Sequence, residues 1–74
     1  MQSLEHVIAI LKVEASMIES HADKLVRMAS VVTDLEQQHQ LLQLAEEEKA
    51  RAETIRHQIR LLQDHLGEED SDVA

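Results

Sequence analysis

Seventy-four residues hold at most one small domain. With no Cys, Phe, Tyr or Trp, the chain has no disulfide, no thiolate zinc site and none of the large contact areas that rings supply. A formal charge of −8 argues against nucleic acid, whose phosphates need a basic footprint, and against anionic membrane surfaces.

A single core in so short a chain rarely contributes more than about 3–5 kcal/mol. Association with itself or with another chain is therefore expected. The longest apolar run, Val7 to Leu11, is too short to span a bilayer. The N-terminus carries neither a basic region nor a cleavage-site pattern, so a cytoplasmic protein is expected.

Taken in order, Ser3 is a candidate N-cap, with Glu5 favourable to the helix dipole in the first turn. A first helix is expected over residues 4–32, roughly 43 Å long at the standard rise. Leu4, Ile8, Leu11, Ala15, Ile18, Ala22, Leu25, Ala29 and Val32 follow one another in alternating steps of four and three. That is a heptad seam, with alanine recurring at one of its two positions so that another helix can approach closely.

A turn is expected over residues 33–37. Thr33 with Glu36, or Asp34 with Gln37, has the spacing of a capping box that opens a new helix. Phase supports the break. The seam resumes as Leu41, Ala45, Glu48, Ala52, Ile55, Ile59, Leu62 and Leu66, whereas the first frame would continue through Glu36, His39, Gln43 and Glu46. The second stripe is offset by roughly 200° on a continuous helix. One straight rod cannot bury both stripes on one face, but a hairpin can.

Folding back near Leu35 sets Leu4 against Leu66, Ile8 against Leu62, Leu11 against Ile59, Ala15 against Ile55, Ile18 against Ala52, Leu25 against Ala45 and Ala29 against Leu41. Each layer joins unlike heptad positions, and the middle layers set large against small. A turn centred on Gln38 and His39 gives a second register, less favoured because it leaves more overhang. The second helix is expected over residues 38–66, ended by Gly67 in the C′ role. Residues 67–74 form an acidic tail expected to be disordered.

Beside the first seam lies a second apolar strip: Val7, Ile10, Met17, Met28, Val31 and Leu35. The apolar face is broader than a two-helix contact uses, so these six residues form the candidate partner-binding surface. Two methionines suit an adaptable contact. The second helix adds Leu42, Leu44 and Leu61 outside its own seam.

Glu48 is the charged residue at a seam position, facing Ala22 and level with His21. A carboxylate there must pair or reach water, so a polar layer with His21, or a side chain that snorkels past the alanine, is expected. The histidines, His6, His21, His39, His57 and His65, bring no set of three or four converging ligands. Glu36 and His39 give the Glu-x-x-His spacing once, beside the turn, where a di-iron site needs it on two facing helices. Glu46-Glu47-Glu48 followed by Lys49 and Arg51 reads as a solvated face with pairs such as Glu47 to Arg51. No nucleophile, base and orienting group come together, so no enzyme, metal, cofactor or small-molecule substrate is expected.

Gln38-His39-Gln40, continuing Leu41-Leu42-Gln43-Leu44-Ala45, resembles the segment that opens the second helix in small co-chaperones of type III secretion needle subunits. Ser3-Leu4-Glu5 is similar to the start of that family. His39 stands in place of the family's usual tyrosine, the turn lacks its Gly or Pro, and the acidic tail is an addition. The resemblance implies a two-helix hairpin that joins a helical-repeat chaperone to hold an aggregation-prone needle subunit. In layout alone the chain is also similar to plasmid RNA-binding hairpin dimers, whose basic recognition face it does not match.

The expectation is an all-α antiparallel two-helix hairpin, coiled-coil-like with an Ala-rich seam, that completes a helical bundle by association. Its expected work is non-catalytic protein binding, as a small secretion co-chaperone or adaptor. The alternative is a self-contained homodimer, a four-helix bundle without a separate client.

Overall fold

The structure, a computed structural model, describes the backbone of residues 3–73 and the side chains as far as Gly67. It is a hairpin of two helices, α1 (Leu4–Val31) and α2 (Leu35–Val73), with no strand among the described residues. The molecule measures 60 × 17 × 15 Å, so its long dimension is set by the 39 residues of α2 at about 1.5 Å each.

Helix α1 opens as its sequence dictates. Ser3 is extended, and its hydroxyl accepts from the His6 amide at 3.1 Å. The close needs more explanation, because no glycine is present to reverse the chain. Val32 is extended (φ −83°, ψ 132°), and the helical carbonyls it leaves behind need donors. One comes from the other helix: the Gln38 side-chain amide donates to the Ala29 carbonyl at 3.0 Å. The Ser30 hydroxyl donates to the Arg27 carbonyl at 2.6 Å.

Asp34 starts α2. Its carboxylate accepts from the amides of Glu36 (2.9 Å) and Gln37 (3.4 Å), and its carbonyl takes the Gln38 amide at 2.9 Å. The connection is therefore only Val32, Thr33 and Asp34, shorter than the expected turn over 33–37, and α2 begins at Leu35 rather than at residue 38. A capping carboxylate at 34 satisfies the amides of the first turn, so the following residues have no reason to stay extended. A turn at Gln38 and His39 is thereby ruled out, because both residues lie within α2.

The far end differs as well. Helix α2 continues through Gly67 to Val73, where a disordered tail from 67 onward was expected. Gly67 does not take a positive φ, and a Cβ there would meet nothing within 4 Å. Neither a left-handed cap nor a close approach demands the glycine. A single helical glycine costs only about 1 kcal/mol relative to alanine, and no proline follows to stop the helix. Ala74 lies outside the described residues.

The core is the seam. Ile8, Ala15, Ala22, Leu25 and Ala29 are buried on α1, and Ala45, Ala52, Ile55 and Ile59 on α2. The remaining seam residues, Glu48 among them, are half-buried. Leu4, Leu11, Ile18, Leu62 and Leu66 pack against the cluster of Ile8, Ala15, Ile55 and Ile59. That grouping agrees with the register folded back near Leu35. Among the described residues no large side chain is completely buried, as expected of two rods that touch along one line.

Candidate interaction surface

Besides the bond from Gln38 to Ala29, two side-chain pairs join the helices among the described residues, His21 with Glu48 and Glu19 with Arg56, and Arg51 adds to the first from within α2. His21 Nδ1 lies 3.5 Å from Glu48 Oε2, and Arg51 Nη1 lies 3.9 Å from Glu48 Oε1. The Glu48 side chain keeps 24% of its exposure. The seam carboxylate thus meets its level partner His21 and still reaches water beyond the small Ala22. Arg51 serves Glu48, three residues before it on the same helix, instead of the expected Glu47. Lys49 lies 3.8 Å from Glu46, and Arg60 3.3 Å from Glu53.

The stronger contact lies on the opposite edge of the seam. Arg56 grips Glu19 with two hydrogen bonds, Nε donating to Oε2 at 2.9 Å and Nη2 donating to Oε1. Paired donors on a planar fork match a carboxylate better than a single ammonium could. The hydrogen bonds from Arg56 hold the Glu19 carboxyl below its usual range against a smaller opposing effect of desolvation, and the charge of Arg56 adds to the lowering. Arg56 is in turn raised above its ordinary value, chiefly by its hydrogen bonds to Glu19. Sequence reading missed this pair. Its only signal is that each residue directly follows a seam residue, Ile18 and Ile55.

With one edge closed by Glu19 and Arg56, the other edge carries the apolar strip. Met17 is 66% exposed, Val31 78%, Leu35 79%, and Ile10 and Met28 46% each. Val7 is half-buried at the seam margin. Leu42, Leu44 and Leu61 of α2 are exposed too, and so are Val13 and Val26 of α1, outside the strip. Shallow open depressions flank Met17, one between Lys12, Val13, Ser16 and Ser20, the other between Ser20, His21 and Lys24. Five of the six residues of the candidate surface lie along one face of α1; Leu35, expected to continue that strip, is instead the first residue of α2, because the non-helical residues Val32 to Asp34 break the helical phase before it.

Among the described residues no three or more His, Asp or Glu side chains gather where they could hold a metal ion. No helix among the described residues is long and apolar enough to cross a membrane. Compared with family models, with curated proteins and with solved structures, the chain matches none.

Proposed function

We propose that the hairpin is a non-catalytic protein-interaction module that docks through the flank of α1 formed by Val7, Ile10, Met17, Met28 and Val31. The observation that carries this reading is that Ile10, Met17, Met28 and Val31, four of the exposed aliphatic residues, share one face of α1 beside the seam. Single apolar residues scattered over a surface are ordinary, whereas aliphatic residues that recur at heptad positions along one helix face form a packing surface. The thinness of the core supports it, since covering this flank adds burial that the hairpin cannot provide for itself. A small secretion co-chaperone or adaptor is the specific form of this reading, and it rests on the resemblance of residues 3–5 and 38–45. The location proposed with it is the cytoplasm.

A second reading is a homodimer in which a copy of the chain covers the flank. It is favoured by the pattern of charges within the strip, developed below.

Replacing Met17 and Met28 together by Glu tests the docking surface. Both side chains are exposed, so helicity measured by circular dichroism should stay within error of the wild type. Association should fall sharply, whether read by sedimentation of the pure chain or by capture of a defined protein partner. Association that persists unaltered would place the docking surface elsewhere.

A further inference from the structure

The apolar flank is part of a longer pattern. Within α1, Val7, Ile10, Glu14, Met17, His21, Lys24, Met28 and Val31 follow one another in unbroken alternating steps of three and four. This is a second heptad stripe, turned roughly 110° around α1 from the seam. A helix with two stripes near a right angle apart has the two contact faces that a corner of a four-helix bundle needs.

We infer that the occupant of this stripe is a second copy of the chain, laid antiparallel across a two-fold axis that passes between Met17 and His21. The inference rests on the docking flank proposed above. Its argument is charge and register. Antiparallel copies present unlike heptad positions to each other, so they slide only in heptad steps. In one register Val7 meets Val31 of the second copy, Ile10 meets Met28, Glu14 meets Lys24 and Met17 meets His21. The two-fold repeats every pair.

Slid one heptad one way, Glu14 faces Met17 and Lys24 faces Val7. Slid the other way, Glu14 faces Val31 and Lys24 faces His21. Only the first register sets carboxylate against ammonium and leaves the outer layers wholly apolar.

An independent feature of α2 agrees. Ala52 faces Ile18 across the seam and so stands level with the proposed axis. Leu44 and Leu61 lie on the same edge of the hairpin as the stripe, nearly equally far to either side of Ala52. The same two-fold brings Leu44 toward Leu61 of the second copy. Exposed leucines on a strongly acidic helix thereby acquire a shared neighbour.

Charge reversal tests the inference cleanly. Neither Glu14 nor Lys24 has an opposite charge three or four residues away along α1, so reversal does not break a pair within the helix. Sedimentation equilibrium should show a dimer for the wild type. Glu14→Lys and Lys24→Glu should each raise the dissociation constant by about tenfold or more, by setting like charges together twice per dimer. The double reversal should bring it back to within about threefold of the wild type, since opposite charges face each other again. Because the chain has no cysteine, Ile10→Cys combined with Met28→Cys fixes the register, and it should yield a disulfide-linked dimer on mild oxidation.

A wild type that stays monomeric to about 100 μM, too weak for a functional dimer, overturns the second copy as occupant. The docking flank survives that outcome if Met17→Glu with Met28→Glu still abolishes binding to a defined protein partner. A dimer whose double reversal is no tighter than the single ones overturns the register. A dimer indifferent to the methionine and charge variants alike overturns both inference and flank.

Discussion

A carboxylate gripped by a guanidinium gives up its charge at lower pH than one in water, and the difference is a stability that depends on pH. Glu19 is such a group. Arg56 keeps its folded-state value below that of the unfolded chain. The contribution is therefore complete above the ordinary glutamate range, about pH 4.3, and is lost as pH falls through the lowered folded value. Both side chains are substantially exposed, 44% and 35%, so solvent weakens the pair and its share of the total stability is modest. Glu19→Gln should melt below the wild type at pH 7, and the two curves should converge in acid. Other carboxylates titrate in both proteins and cancel in the difference. A gap unchanged in acid would show that Glu19 acts by packing alone. Sequence reading could not reach this pair, because a diagonal contact depends on the register and on the reach of an arginine. The level pair of His21 and Glu48 was legible, because a charge within an apolar seam demands a partner wherever the register falls.

For the helices themselves, legibility follows periodicity. Every seam residue expected on either helix, from Leu4 to Val32 and from Leu41 to Leu66, is buried or half-buried in the fold, because a heptad repeat constrains many positions at once. The ends of the helices depend on single residues and were less legible. Asp34 was one of two candidate caps and proves to be the one used. Gln38 gave no signal in advance, although a turn without glycine implied that some side chain must take up the orphaned carbonyls of α1. Gly67 signalled a stop that the backbone does not make. The alanines carry the close approach of the two rods. Ala22 is fully buried, at the seam layer whose register partner is Glu48. Ala22→Leu should therefore overpack the middle of the seam and cost about 1–3 kcal/mol. At this chain length each kcal/mol lowers the melting temperature by roughly 4–8 °C. An unshifted melt would mean that the helices can separate locally at no cost.

At the scale of the whole molecule, a rod 60 Å long and 17 Å across has mostly surface to offer. Its buried apolar residues are four large side chains and five alanines, each large one contributing about 1.5–3 kcal/mol against the entropy of ordering two long helices. Such a hairpin has little margin alone, so its folding should be tied to the covering of its flank. Anything that binds only the folded state raises its stability by mass action. If the flank is covered by a second copy, concentration itself becomes the stabiliser. Each tenfold dilution then removes about 1.4 kcal/mol from the dimer, which for two chains of this length lowers the melting temperature by roughly 3–6 °C. Thermal melts of the pure wild-type chain across a hundredfold range of concentration should shift steadily downward on dilution. The Met17→Glu, Met28→Glu protein should melt lower and at one temperature throughout, since it has no association left to lose. A wild type whose cooperative melt ignores dilution would show that the seam alone sustains the hairpin, and the exposed strip on α1 would no longer need a neighbour to explain its stability.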